Sequence, residues 1–244
     1  LVGLVVWLVA NQRAGMQFGV AIGGIVAMAV AVVAGVWAGT MVTVGKAVRR
    51  YPSYTWWVVN RLMFMAAVTS IQTFAPFFLM YAFDIDRERA AAMTGTLMTV
   101  VGIFTLLSAL PGGWLADRLG PKRLVAGGGL IAALGTAVLL GTIWVPNLTL
   151  IYVGGCILGL AAGLFMTTNW ALGTRLVPPE EAGRYLGISN LAGAGAGMIG
   201  SGIGGPIADY LNGTMPGLGY FSIFAGYGIL FLLSIVSLRG VSET

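Results

Sequence analysis

The strongest constraint on this chain is a repeated one: apolar stretches of about 20 residues or more, each closed off by a short polar or charged break. After an opening apolar run over 1–10 and the break Asn11-Gln12-Arg13, these stretches cover 15–45, 54–82, 90–111, 124–145, 148–172, 186–210 and 217–238. About 20 apolar residues in a helix cross the hydrocarbon core of a bilayer. Span 15–45 exceeds that need, so it is expected to tilt or run past the bilayer. The predicted fold class is therefore an all-α membrane protein.

Composition closes the alternatives. Charged residues make up 9% of the chain and hydrophobic ones 58%, whereas a soluble domain carries about a quarter charged residues. The 38 glycines would each cost up to about 1 kcal/mol in a helix interior in water; in lipid they let helix backbones approach. There is no histidine, and the single cysteine, Cys156, lies inside an apolar span. A disulfide within the chain and a Cys/His metal site are thus excluded, and no cofactor is expected. The net charge of +5 is dispersed among apolar spans without a basic stripe, which argues against a nucleic-acid partner. The expected partners are the lipid bilayer and a small solute.

The opening run, Leu1 to Ala10, has no basic flank or small-residue cleavage site of the kind a signal peptide needs. It reads as a helix cut in its middle, so the chain is expected to be part of something longer. Orientation follows from the excess of Lys and Arg on cytoplasmic loops. Nine fall on one side (Lys46, Arg49, Arg50, Arg118, Lys122, Arg123, Arg175, Arg184, Arg239) and three on the other (Arg13, Arg87, Arg89), the last two beside Asp84, Asp86 and Glu88. The first side is predicted to be cytoplasmic, with the C-terminus. Short turns at Val145-Pro146-Asn147, Pro178-Pro179-Glu180-Glu181 and Leu211-Asn212-Gly213 make sequential helices antiparallel neighbours.

The most informative stretch is Gly112-Gly113-Trp114-Leu115-Ala116-Asp117-Arg118-Leu119-Gly120-Pro121-Lys122-Arg123, read as a loop between two spans. Its glycines suit a tight turn, and Asp117 suits the positive N-terminal end of a neighbouring helix. Gly113, Leu115, Ala116, Asp117, Arg118, Gly120 and Lys122 match the loop signature G-x-L-A-D-R-x-G-R-[KR] of the Major Facilitator Superfamily, with Pro121 in place of the usual Arg. The chain resembles that family, whose signature lies between the second and third helix of each six-helix half. The resemblance implies a cytoplasmic latch, with Gly113, Asp117, Arg118, Gly120, Lys122 and Arg123 as its gating residues. It also places 1–45 at the end of an N-terminal half, as a partial fifth and a sixth helix, and 46–53 as the loop between halves. Residues 54–238 then form a six-helix C-terminal half, helices seven to twelve, and 239–244 a cytoplasmic tail. The rest of the N-terminal half would be a missing partner.

Trp56-Trp57-Val58-Val59-Asn60-Arg61, Asn169-Trp170-Ala171-Leu172, Leu176-Val177-Pro178 and Arg184-Tyr185-Leu186-Gly187 are similar to bacterial members related to the sugar:cation symporters. There an acidic residue often stands where this chain has Asn169, which puts proton or sodium coupling through that position in doubt. The seventh and tenth helices line the family's central cavity, so Thr69, Gln72, Asn169 and Trp170 are candidate substrate contacts. Polar groups in a span otherwise bond to a neighbouring helix, and Trp170 otherwise anchors at the interface. Arg61, two turns into its span, either snorkels to the cytoplasmic surface or forms a gating ion pair with Glu180 or Glu181. Asp209 reads as a solvated helix end. Two ladders of small residues, Gly155/Gly159/Gly163 and Gly193/Gly197/Ser201/Gly205, predict close helix seams.

The function this implies is secondary transport of a small solute by alternating access, a sugar or other polar molecule being favoured, in a bacterial inner membrane. A hydrophobic-solute exporter and a transporter-like sensor or scaffold are the alternatives. A membrane enzyme would need a general acid or base or metal ligands in the spans, and this stretch offers neither His nor paired intramembrane carboxylates.

Overall fold

The computed structural model describes residues 52–177, 183, 186, 187, 204, 205 and 207–242. Among these are five helices long and apolar enough to cross a membrane: α1 (Pro52–Phe83), α2 (Arg87–Leu119), α3 (Pro121–Leu140), α4 (Leu148–Arg175) and α5 (Leu218–Ser237). A 3₁₀ turn, Leu238–Gly240, follows α5. Residues 207–212 are also helical, at the end of the predicted span 186–210. The predicted spans before residue 52 lie outside the described residues.

Local chemistry explains the helix limits. α1 stops at Asp84, whose φ of 49° is left-handed. The Asp86 side chain then accepts from the Arg89 amide at 2.8 Å and caps α2. Asn147 caps α4 in the same way, accepting from Leu150 N at 3.1 Å. Each cap satisfies an amide with no partner in the helix.

The sharpest change of direction is a single residue. Gly120, at φ 86°, ends α2, and Pro121 begins α3 at a position where its missing N–H costs nothing. This corrects the loop expected over 112–123. Gly112 to Leu119 are helical and only Gly120 turns, because Pro111 removes one backbone hydrogen bond without ending a helix that its neighbours support. The turn after α3 is longer than the three residues expected, running over 141–147.

Packing arranges the helices as a ring in the order α1, α2, α4, α3, α5, with α1 and α4 meeting across it only briefly. The end of the ring holding Gly120 is called here the Gly120 end, and the opposite one the Asp84 end. At the closest seam, a Cβ on Gly159 would lie 2.5 Å from the Val101 carbonyl oxygen of α2, and one on Gly163 2.0 Å from that of Thr105. The first small-residue ladder therefore makes the backbone contact its spacing predicts. Of the second, Gly193, Gly197 and Ser201 lie outside the described residues.

The predicted tail, 239–244, is described as far as Ser242. After the 3₁₀ turn the chain folds back, with Leu238 and Val241 buried. The Ser242 amide donates to Ser53 Oγ at 3.1 Å, so the tail is tied down as far as Ser242 by apolar burial and backbone bonds.

Candidate functional site

Two features occupy the inside of the ring, one toward each end. Toward the Gly120 end is a buried polar hub built from α1, α4 and α5. Arg61 Nη1 donates to Asn169 Oδ1 at 2.9 Å. Asn169 Nδ2 donates to Asn60 Oδ1 at 3.0 Å, and Asn60 Nδ2 to the Ser234 carbonyl at 2.8 Å. Trp57 Nε1 donates to the Asn169 carbonyl at 3.1 Å. Asn60 and Asn169 are fully buried and Arg61 is 3% exposed. The Arg61 guanidinium also lies over two indoles, 5.0 Å from the Trp170 ring and 6.0 Å from that of Trp57, where the ring quadrupole attracts a cation.

An aromatic layer sits next to the hub. Phe64 stacks on Phe165 with ring centroids 3.6 Å apart, and Phe231 meets Phe64 edge-on at 5.0 Å. All three are buried completely, which closes the ring at this level.

Toward the Asp84 end the ring opens into a pocket of about 540 Å³, counted with its open mouth. Its wall includes Val68, Phe78, Leu97, Met98, Leu158 and Phe224, and among the described residues Gln72 is the single polar side chain on it. Phe78 and Phe224 form an edge-to-face pair at 5.3 Å. Apolar walls with few polar groups are a lining that small-molecule sites often have.

The predicted substrate contacts separate on this geometry. Gln72 reaches the pocket. Thr69 does not line it, and its hydroxyl donates to the Met65 carbonyl one turn earlier at 2.6 Å. Asn169 belongs to the hub, where both ends of its amide are bonded. Trp170 is half-buried beside Arg61. Arg61 does not snorkel: its burial overturns that expectation, because the amide and two indoles supply inside the bundle what water would supply at the surface. The proposed partners Glu180 and Glu181 lie outside the described residues.

The signature residues sit at the Gly120 end. Asp117 faces Arg175 in the last turn of α4, with 4.0 Å between charged atoms; the beginning of the predicted span 186–210, whose N-terminal end could also face it, lies mostly outside the described residues. Both side chains are well exposed there, and such pairs contribute at most about 1 kcal/mol. Arg118 stacks on Trp114 at 4.1 Å. Lys122 donates to the Val241 carbonyl. Gly113 is helical with room for a Cβ, Gly120 makes the turn, and Arg123 is exposed. Asp209 is exposed, as a helix-end carboxylate should be. Among the described residues no three His, Cys, Asp or Glu side chains cluster.

Sequence reasoning passed over Asn60, Phe64 and Phe165. For Asn60 a signal existed, a second polar residue beside Arg61 inside an apolar span. For the phenylalanines none did, since apolar residues in an apolar span carry no mark of where they point.

Comparison with known proteins agrees with this architecture. The chain is 30% identical over 172 residues to multidrug resistance protein MdtG of Proteus mirabilis, covering 69% of this chain and 40% of that protein. It is 29% identical over 97 residues to the minor myo-inositol transporter IolF of Bacillus subtilis, covering 40% of this chain and 22% of the relative. The magnetosome protein MamH of Paramagnetospirillum magneticum is 29% identical over 107 residues, 42% of this chain and 24% of that protein. The chain thus spans well under half the length of each of these relatives. The family model described as Major Facilitator Superfamily matches residues 62–244, most of the described helices among them, and the chain belongs to that superfamily.

Proposed function

We propose that this chain is the C-terminal portion of a secondary transporter that moves a small, mainly apolar solute across a bacterial inner membrane by alternating access. The observation that carries the reading is the pocket at the Asp84 end, with apolar walls and the lone amide of Gln72. A sugar needs many hydrogen-bonding partners to replace its water, and buried polar groups left unpaired are costly. Among the described residues this wall offers one. The name of the relative matched over most of the chain, a multidrug resistance protein, is in keeping with this. On this reading 54–238 are helices seven to twelve, the Gly120 end faces the cytoplasm by the charge bias, and the remaining helices come from the other half.

A second reading keeps the polar solute first expected from the sequence. It draws support from exposed Thr73 beside Gln72 on α1 and from the inositol relative. Counterflow in liposomes containing the full-length protein separates the two, using radiolabelled chloramphenicol and radiolabelled myo-inositol, with and without a proton gradient. Chloramphenicol counterflow that falls at least about tenfold in Leu158→Trp, which fills the pocket, is the expected result. Inositol flux alone would replace it with the polar reading. No flux of either, under any gradient, would count heavily against transport and in favour of a sensor or scaffold.

A further inference from the structure

The superfamily's alternating access is commonly pictured as one rigid bundle rocking against another. The α1–α4 contact of this chain points to motion inside the bundle. Each helix packs more extensively on its neighbours around the ring than α1 and α4 do across it, where they meet briefly. That meeting consists of the polar hub, the Phe64–Phe165 stack and the Trp57 ring, which lies so close to α4 that a Cβ on Gly173 would be 2.3 Å from its Cζ2. Farther along, Val68, Ile71 and Ala75 of α1 stand opposite Ile151, Gly155 and Leu158 of α4 across the pocket.

We propose that Asn169 is the positioning residue of a releasable clamp, which holds α1 to α4 at the Gly120 end and lets them part there when the cavity opens to that side. Asn169 carries both cross-ring bonds of its side chain on one amide, accepting from Arg61 and donating to Asn60. An amide can exchange both bonds for water as the helices separate, and carries no charge of its own that the separation must resolvate. A carboxylate at 169 would instead make a desolvated ion pair with Arg61, and breaking such a pair is strongly unfavourable. The Asn60 bond to the Ser234 carbonyl keeps α1 attached to α5 throughout, so α1 and α5 swing as a pair.

The proposal rests on the alternating-access reading, but its test needs no solute. Spin labels at Thr55→Cys and Thr174→Cys, in a Cys156→Ser background of the full-length protein in lipid nanodiscs, report the α1–α4 separation by pulsed electron resonance. Two distances are expected in the unmodified hub. Asn169→Asp should reduce the longer population by about tenfold, and Asn169→Leu should raise it by a similar factor. If the leucine variant does not fold, Asn169→Ser, too short to reach Arg61 and Asn60 together, should also raise it. One narrow distance, unchanged in Asn169→Asp and in whichever second variant folds, would overturn the clamp. Counterflow would be untouched by that outcome, so a rigid bundle that still transports remains distinguishable from a chain that does not transport.

Discussion

Helix α4 has two seams of opposite character. Against α2 it presents Gly155, Gly159 and Gly163, and the backbones come so close that no Cβ fits at Gly159 or Gly163. Against α1 it presents Asn169, Phe165 and Gly173, which meet Arg61, Asn60, Phe64 and Trp57. The first seam depends on close backbone approach, where an added side chain has no room. The second depends on a few side-chain bonds and one ring stack that can be made and unmade. On the proposed reading the two seams divide the work, one keeping the fold and the other able to yield.

The difference can be broken at its rigid side first. Gly163→Leu would put a branched side chain where the Thr105 carbonyl and Ser108 hydroxyl already stand. We expect more than about 4 kcal/mol of destabilisation, read as loss of monodisperse protein on size exclusion. Recovery of a well-folded variant would mean the seam is softer than its spacing implies.

At the yielding contact the effect should be smaller. Phe165→Ala removes a fully buried ring stacked on Phe64 and should cost about 3–5 kcal/mol, measured by thermal unfolding in detergent. The longer α1–α4 distance should gain population at the same time. A stability loss without that gain would show that the stack supports the ring but plays no part in release.

The smallest effect belongs to the signature's exposed pair. Asp117→Asn removes the charge facing Arg175, and since both groups are mostly in solvent stability should change by no more than about 0.5 kcal/mol. A loss several times larger would assign the pair a place among the contacts that hold the bundle together.

Much of the architecture was legible in the chain. The spans 54–82, 90–111, 148–172 and 217–238 each lie within or almost within a helix of the structure, because apolar length is a direct consequence of bilayer thickness. Gly120 was legible as a turn residue, and the Gly155 ladder as a seam, because backbone conformation and backbone approach are properties of a few adjacent positions. The end of α2 was not, because a proline inside a membrane helix marks no boundary when neighbouring helices support it.

Side-chain fate was the least readable. Asn169 and Gln72 are both amides in apolar spans, yet one is bonded within a five-residue network and the other stands on the wall of a pocket. Nothing local distinguishes them, since each answer depends on what a helix a hundred residues away brings to the same level. Arg61 teaches the same lesson, because its acceptor, Asn169, lies 108 residues farther along the chain.

By itself, then, the sequence determined that this chain lives in a membrane as a helical bundle and which superfamily its signature resembles. Those properties come from hydrophobic length, charge placement and short-range turn chemistry. Only the tertiary structure decided that Arg61 turns inward to an amide and that the pocket's wall is almost wholly apolar. Both follow from how the described helices are rotated about their own axes, which is set by packing around the ring and has no local code.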